Sequence, residues 1–130
     1  MTPIHSRGRC SSERGAAAVE LALVLPILVT LVFGIIQFGR GYNAQISVTS
    51  AAREAAREIA TGGTPAAARL AARSAADTIV AGALTVSVPA SCTPGSSVTA
   101  VASYPFTYDI PFVGQRALTL TSRGSMRCGG

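Results

Sequence analysis

The chain has 130 residues and a formal charge of +5, with eleven Arg, no Lys, six acidic residues and one His. The Arg residues are scattered, at 7, 9, 14, 40, 53, 57, 69, 73, 116, 123 and 127, and no Arg-rich block interleaves with aromatics, so a nucleic-acid interface has little support. The single His5 sits near the N-terminus, the acidic residues past position 20 are only Glu54, Glu58, Asp77 and Asp109, and no phosphate-cradling Gly loop or activated Ser or Cys is present; this composition argues against an enzyme and against a metal or cofactor.

Residues 1–15 form a polar leader in which Arg7, Arg9 and Arg14 outnumber Glu13. Basic residues that flank a first apolar segment tend to stay on the cytoplasmic side, which places the N-terminus inside and the C-terminal part outside. Residues 16–39 follow as an almost wholly apolar run. A helix of that length spans about 36 Å, enough to cross a hydrocarbon layer of about 30 Å. The apolar region exceeds that of a secretory signal, and Phe38-Gly39-Arg40-Gly41-Tyr42 is a poor cleavage context, so a retained transmembrane helix is expected. Pro26 should kink it or leave one turn open, which neighbouring helices can tolerate.

One carboxylate, Glu20, interrupts this run. A charge at the centre of a membrane helix costs about 2.5–3.5 kcal/mol on insertion scales, which makes such a group a functional candidate. Two plainer readings stand beside that one. The helix N-terminal dipole stabilises a carboxylate in the first turns by about 0.3–1 kcal/mol, and the side chain could snorkel to the interface.

Residues 40–130 make one small outer domain with a modest core. Beyond the membrane the helix is expected to continue: Val48, Ala52, Ala55 and Ile59 fall on one helical arc opposite Arg53 and Arg57, and Glu54 can pair with Arg57. Gly62-Gly63 ends that helix, and Thr64-Pro65 supplies a cap and a first-turn Pro for the next. The second helix repeats the pattern with Ala68, Ala72, Ala75 and Ile79, while Leu70 falls on the polar side. After Gly82 the period becomes two. Leu84, Val86 and Val88 mark one strand, Val98–Tyr104 a second, and Ala117–Ser122 a third that could run on to Arg127 through a bend at Gly124. The apolar loop Pro105–Gln115 either folds back on the sheet or faces a partner. The fold class expected is α+β: a long N-terminal transmembrane helix, a shorter second helix and a small antiparallel sheet of about three strands.

Cys10 lies in the leader, on the reducing side, whereas Cys92 and Cys128 lie outside, where disulfides persist. A Cys92–Cys128 bridge would tie the loop after the first strand to the C-terminus and add about 4 kcal/mol on the chain-entropy model. Free thiols or intermolecular pairing are the alternatives.

The segment Arg14-Gly15-Ala16-Ala17-Ala18-Val19-Glu20-Leu21-Ala22-Leu23-Val24-Leu25-Pro26 resembles the processing site of type IV pilin-like proteins, and more narrowly the TadE-like pseudopilins of the tight-adherence pilus system. Phe33–Arg40, Ser103–Phe106 and Leu118–Arg127 are similar to that family as well. The resemblance implies a pilin-like protein of the bacterial cytoplasmic membrane, destined for a surface pilus. It implies cleavage after Gly15 by a prepilin peptidase, loss of the leader with Cys10, and a new N-terminus at Ala16. Glu20 would then be fifth in the mature chain and placed to pair with the Ala16 amine of a neighbouring subunit, while Ala18 and Ala22 let helices approach closely. Partners would be the peptidase, other pilin or pseudopilin subunits and membrane proteins of pilus assembly. Major pilins of this system usually carry Tyr after that Glu and are shorter; Leu21 and the longer chain fit a minor subunit better. The competing reading is an unprocessed single-pass anchor whose outer domain binds another component of the cell envelope.

Overall fold

The computed structural model describes residues 10–129. Most of the leader, with His5, Arg7 and Arg9, lies outside the described residues, as does the side chain of Cys10. The described chain is an α+β structure of three helices and a three-stranded antiparallel sheet.

Helix α1 runs unbroken from Cys10 to Ala60, 51 residues, or about 76 Å at 1.5 Å per residue. It takes in the last leader residues, the whole 16–39 run and the first helix of the outer domain, with no break at Gly39-Arg40-Gly41. Pro26 is accommodated inside it. Its missing N–H leaves the Ala22 carbonyl without the usual amide, and the Thr30 hydroxyl donates to the Pro26 carbonyl at 2.8 Å. The C-terminus closes as the glycine pair requires. Gly62 takes φ 90°, its N–H donates to Ile59 O at 3.1 Å, and the Gly63 N–H reaches back to Glu58 O at 2.9 Å. These are the two bonds of a Schellman cap.

Helix α2, Pro65–Ala75, starts where Thr64 accepts the Ala67 N–H at 3.2 Å, with Pro65 in the first turn. Ala68 and Ala72 are buried against α1, and Leu70 stays exposed. The expected stripe does not continue to Ala75 and Ile79, which are both exposed. Ala76 and Asp77 adopt extended ψ values of 151° and 146°, and a separate turn α3, Thr78–Ala81, restarts out of phase. Val80 therefore takes the buried place. The Asp77 N–H donates to the buried Ser47 hydroxyl at 2.7 Å, which pins this corner to α1.

The sheet is ordered β1(Thr85–Ser87), β2(Ser97–Ile110), β3(Gly114–Arg127). β2 and β3 form one hairpin, paired from Ser97 with Arg127 to Ile110 with Gly114. The segment Pro105–Gln115, read from the sequence as a loop, is thus strand up to Ile110 and again from Gly114, with only three residues at the turn. Pro105 is tolerated because β1 covers β2 only at Val101–Ser103, so beyond it one edge of β2 is open. On β2 the even positions Val98, Ala100, Ala102 and Phe106 are buried.

The core lies between this face and the second half of α1, where Val48, Ala51, Ala52, Ala55, Ala56 and Ile59 are 0–1% exposed. Small side chains let the backbones approach closely. Gly124 does the same from the sheet side: a Cβ there would collide with the α1 backbone at Ala52 and Arg53. β3 continues straight through Gly124, which serves close approach rather than a bend.

Candidate functional site

The membrane-length stretch of α1 is left uncovered by the other described elements. Val19, Leu23, Ile27 and Ile35 are 62%, 70%, 62% and 72% exposed, and large aliphatic side chains occur on every side of the helix. A helix that is apolar all round is stable only inside a larger assembly or in lipid. Among the described residues this is the one helix long and apolar enough to cross a membrane, and its most apolar stretch is wholly unburied.

The residues singled out for processing and assembly all lie on this bare stretch. Gly15 and Ala16 are exposed, and a Cβ at Gly15 would meet open space. Glu20 is exposed and has no ion-pair partner among the described residues. At 100° per residue, Ala16 and Glu20 lie one turn apart on the same face, while Ala18 and Ala22 share a face turned about 160° from Glu20. The helix therefore shows a carboxylate to one side and a small-residue strip to the other. Among the described residues it brings neither of them to any partner.

The outer end of the bare stretch is where the hairpin arrives. Going down α1, the Gln45 amide donates to Thr121 O at 3.3 Å. A Cβ on Gly41 would press on the Phe106 ring at 3.3 Å. The Gln37 amide donates to Asp109 O at 3.0 Å. Below Phe106, the helix and hairpin diverge into an apolar groove of about 380 Å³, lined among others by Gly34, Phe38, Tyr42, Tyr108, Ile110 and Leu118. The apolar character of Pro105–Gln115 thus has two uses. Phe106 is buried and Tyr108 and Ile110 half-buried against α1, whereas Phe112 and Val113 at the turn are exposed. Gln37 and Asp109 had no role in the sequence reading, because their contact joins positions 72 apart.

Cys92 and Cys128 are joined in a disulfide with a Cα–Cα distance of 5.6 Å. The bridge fastens the long loop before β2 to the end of β3. Cys128 N–H donates to Ser96 O at 2.9 Å, Gly95 N–H donates to Cys128 O at 3.2 Å, and Gly129 N–H reaches Ala60 O at 3.3 Å. The far end of the domain, remote from the bare helix, is therefore the tightly laced end. Glu54 and Arg57 pair at 3.8 Å on the exposed face of α1, as their spacing suggests.

Searches of curated proteins and of solved structures give no match to the chain. A protein-family comparison does: residues 15–57, which begin at Gly15, contain Glu20 and end on the packed half of α1, match the model of the family described as TadE-like protein, the same family that the Gly15–Glu20 segment resembles.

Proposed function

We propose that this chain is a minor pseudopilin of a tight-adherence-type pilus, cleaved after Gly15 by a prepilin peptidase and built into, or initiating, a filament. The observation that carries this reading is the bare half of α1: a membrane-length apolar helix, matched to the TadE-like family, with Glu20 exposed on it and no partner for it within the described chain. Cleavage would leave the Ala16 amine on the same helical face as Glu20. A desolvated carboxylate is best relieved by a cation, and in a stack of parallel helices that cation is the Ala16 amine of the neighbour. The Ala18–Ala22 strip on the other side lets a second neighbour approach closely. Each subunit thus offers one polar and one small-residue contact, which is what a helical stack needs to set its register.

In this reading the N-terminus faces the cytoplasm, the outer domain lies beyond the membrane, and no catalytic step, cofactor or metal is assigned to the chain. The partners are the peptidase and other pilin-like subunits. The test is Glu20→Ala in the native cell, with membrane insertion and recovery in sheared surface filaments scored separately. Insertion should be retained, since the change removes a charge from lipid, and filament recovery should be lost. Recovery equal to wild type sinks the assembly role and leaves a single-pass anchor with a binding domain.

A further inference from the structure

We propose that the β2–β3 turn is a second membrane contact, dipping into the headgroup and upper acyl region of the outer leaflet beside α1. The proposal rests on the reading that residues 16–39 span the bilayer. The register along α1 carries it. The hairpin descends the helix from the level of Ala52 at Gly124, through Gly41 at Phe106, to Gln37 at Asp109. Ile110 and Gly34 line the same groove, and a strand rise of about 3.3 Å per residue carries Phe112 roughly 10 Å past Asp109. With Ala16 at the inner boundary of the hydrocarbon, a layer of about 30 Å ends near residue 36. Any outward shift of Ala16 toward the cytoplasm moves that boundary by only a residue or two for every few ångströms. Asp109 then stands at the interface and the turn lies about 5–10 Å below it, the depth at which interfacial apolar groups sit.

The residues of the turn suit that place. Asp109, Gln115 and Arg116 stand above it, and Arg40 is the first charged residue of α1 after Glu20. Beneath them Ile110, Pro111, Phe112, Val113 and Gly114 carry no charge. Phe112 is 82% exposed and Val113 54%. The backbone is partly satisfied as well: Val113 N–H donates to Ile110 O at 3.0 Å, and Pro111 has no N–H to desolvate. Phe112 also sits at φ 68°, directly after Pro111, in the place where a type II turn favours Gly. A bulky side chain in that region is strained, and strain of this kind collects at functional positions. Here it displays an aromatic ring at the end of the hairpin, a side chain that suits the apolar side of a membrane interface.

The chain has no Trp, so Phe112→Trp introduces a single reporter. The full chain is reconstituted at low density in phosphatidylethanolamine–phosphatidylglycerol vesicles, and its emission is compared with that of Ile27→Trp and Leu70→Trp. Lipids brominated at shallow or deep acyl positions act as quenchers. The proposal expects Ile27→Trp to be quenched by deep bromine, Leu70→Trp to emit as in water, and Phe112→Trp to be blue-shifted and quenched by shallow bromine. A water-like Phe112→Trp beside a lipid-quenched Ile27→Trp overturns the proposal alone. A water-like Ile27→Trp overturns the membrane reading beneath it. A Phe112 signal that is water-like at low density and shifts only as subunits are crowded assigns the turn to a neighbouring copy instead, and also overturns the proposal.

Discussion

The two halves of α1 are one helix in two environments, and their compositions run opposite to the usual expectation. From Val19 to Phe38 the side chains are mostly large and aliphatic, and the large ones other than the half-buried Val29 are 42–77% exposed. From Ala44 to Ile59 the helix contributes mostly Ala to the core, and those residues are at most 7% exposed. The larger apolar surface is therefore on the half without a protein partner. Small side chains suit a fixed protein neighbour, where backbones must come close. Large ones suit a solvent of acyl chains, where total apolar area decides. The helix is a rigid link between the two, and the hairpin laid along its middle marks where one environment gives way to the other.

Changes of equal chemistry on the two halves should break this comparison most sharply. Ile59→Ala removes a side chain that is 1% exposed and should lower the unfolding free energy of the outer domain by about 2–5 kcal/mol. Ile27→Ala, on the bare half, should leave that unfolding transition where it was; denaturant melts of both full-length variants in detergent compare them. Next in size, Gly124→Ala puts a methyl group into the α1 backbone at Ala52 and Arg53, and such overpacking should cost about 1–3 kcal/mol in the same melts. The smallest effect is expected at the cap of α2, which only supports the packed half. Thr64→Ala loses the bond to the Ala67 N–H and should cost about 1 kcal/mol. If Ile27→Ala destabilised the outer domain as much as Ile59→Ala, the division of α1 into two environments would be wrong.

Much of this arrangement was legible in the sequence where the signal is local. The Gly62-Gly63 stop, the Thr64-Pro65 start, the alternation after Gly82 and the positions of Cys92 and Cys128 each depend on a few neighbouring residues or on compartment. What escaped were features decided at long range. Pro105 reads as a break, yet it is harmless because β1 begins only at Thr85, opposite Ser103, and leaves the β2 edge open beside it. Ile79 reads as core by period, yet Asp77 bonds Ser47, thirty residues away, and the new turn shifts the phase to Val80. Gly41 has no evident task in the sequence, but in the fold it is a seat for Phe106 within a continuous helix. For the candidate site the pattern is similar. Glu20 could be singled out from its place in an apolar run, and Gly15 and Ala16 from the family that the segment resembles, whereas the turn at Phe112 gains meaning only from its register against Gln37.

The central claim is that the bare half of α1 is made ready for assembly by removal of the leader. The most direct test is the intact mass of the protein recovered from membranes of cells with and without the prepilin peptidase. The account predicts a chain beginning at Ala16 when the peptidase is present and the full-length chain when it is absent. A full-length chain in both would contradict it.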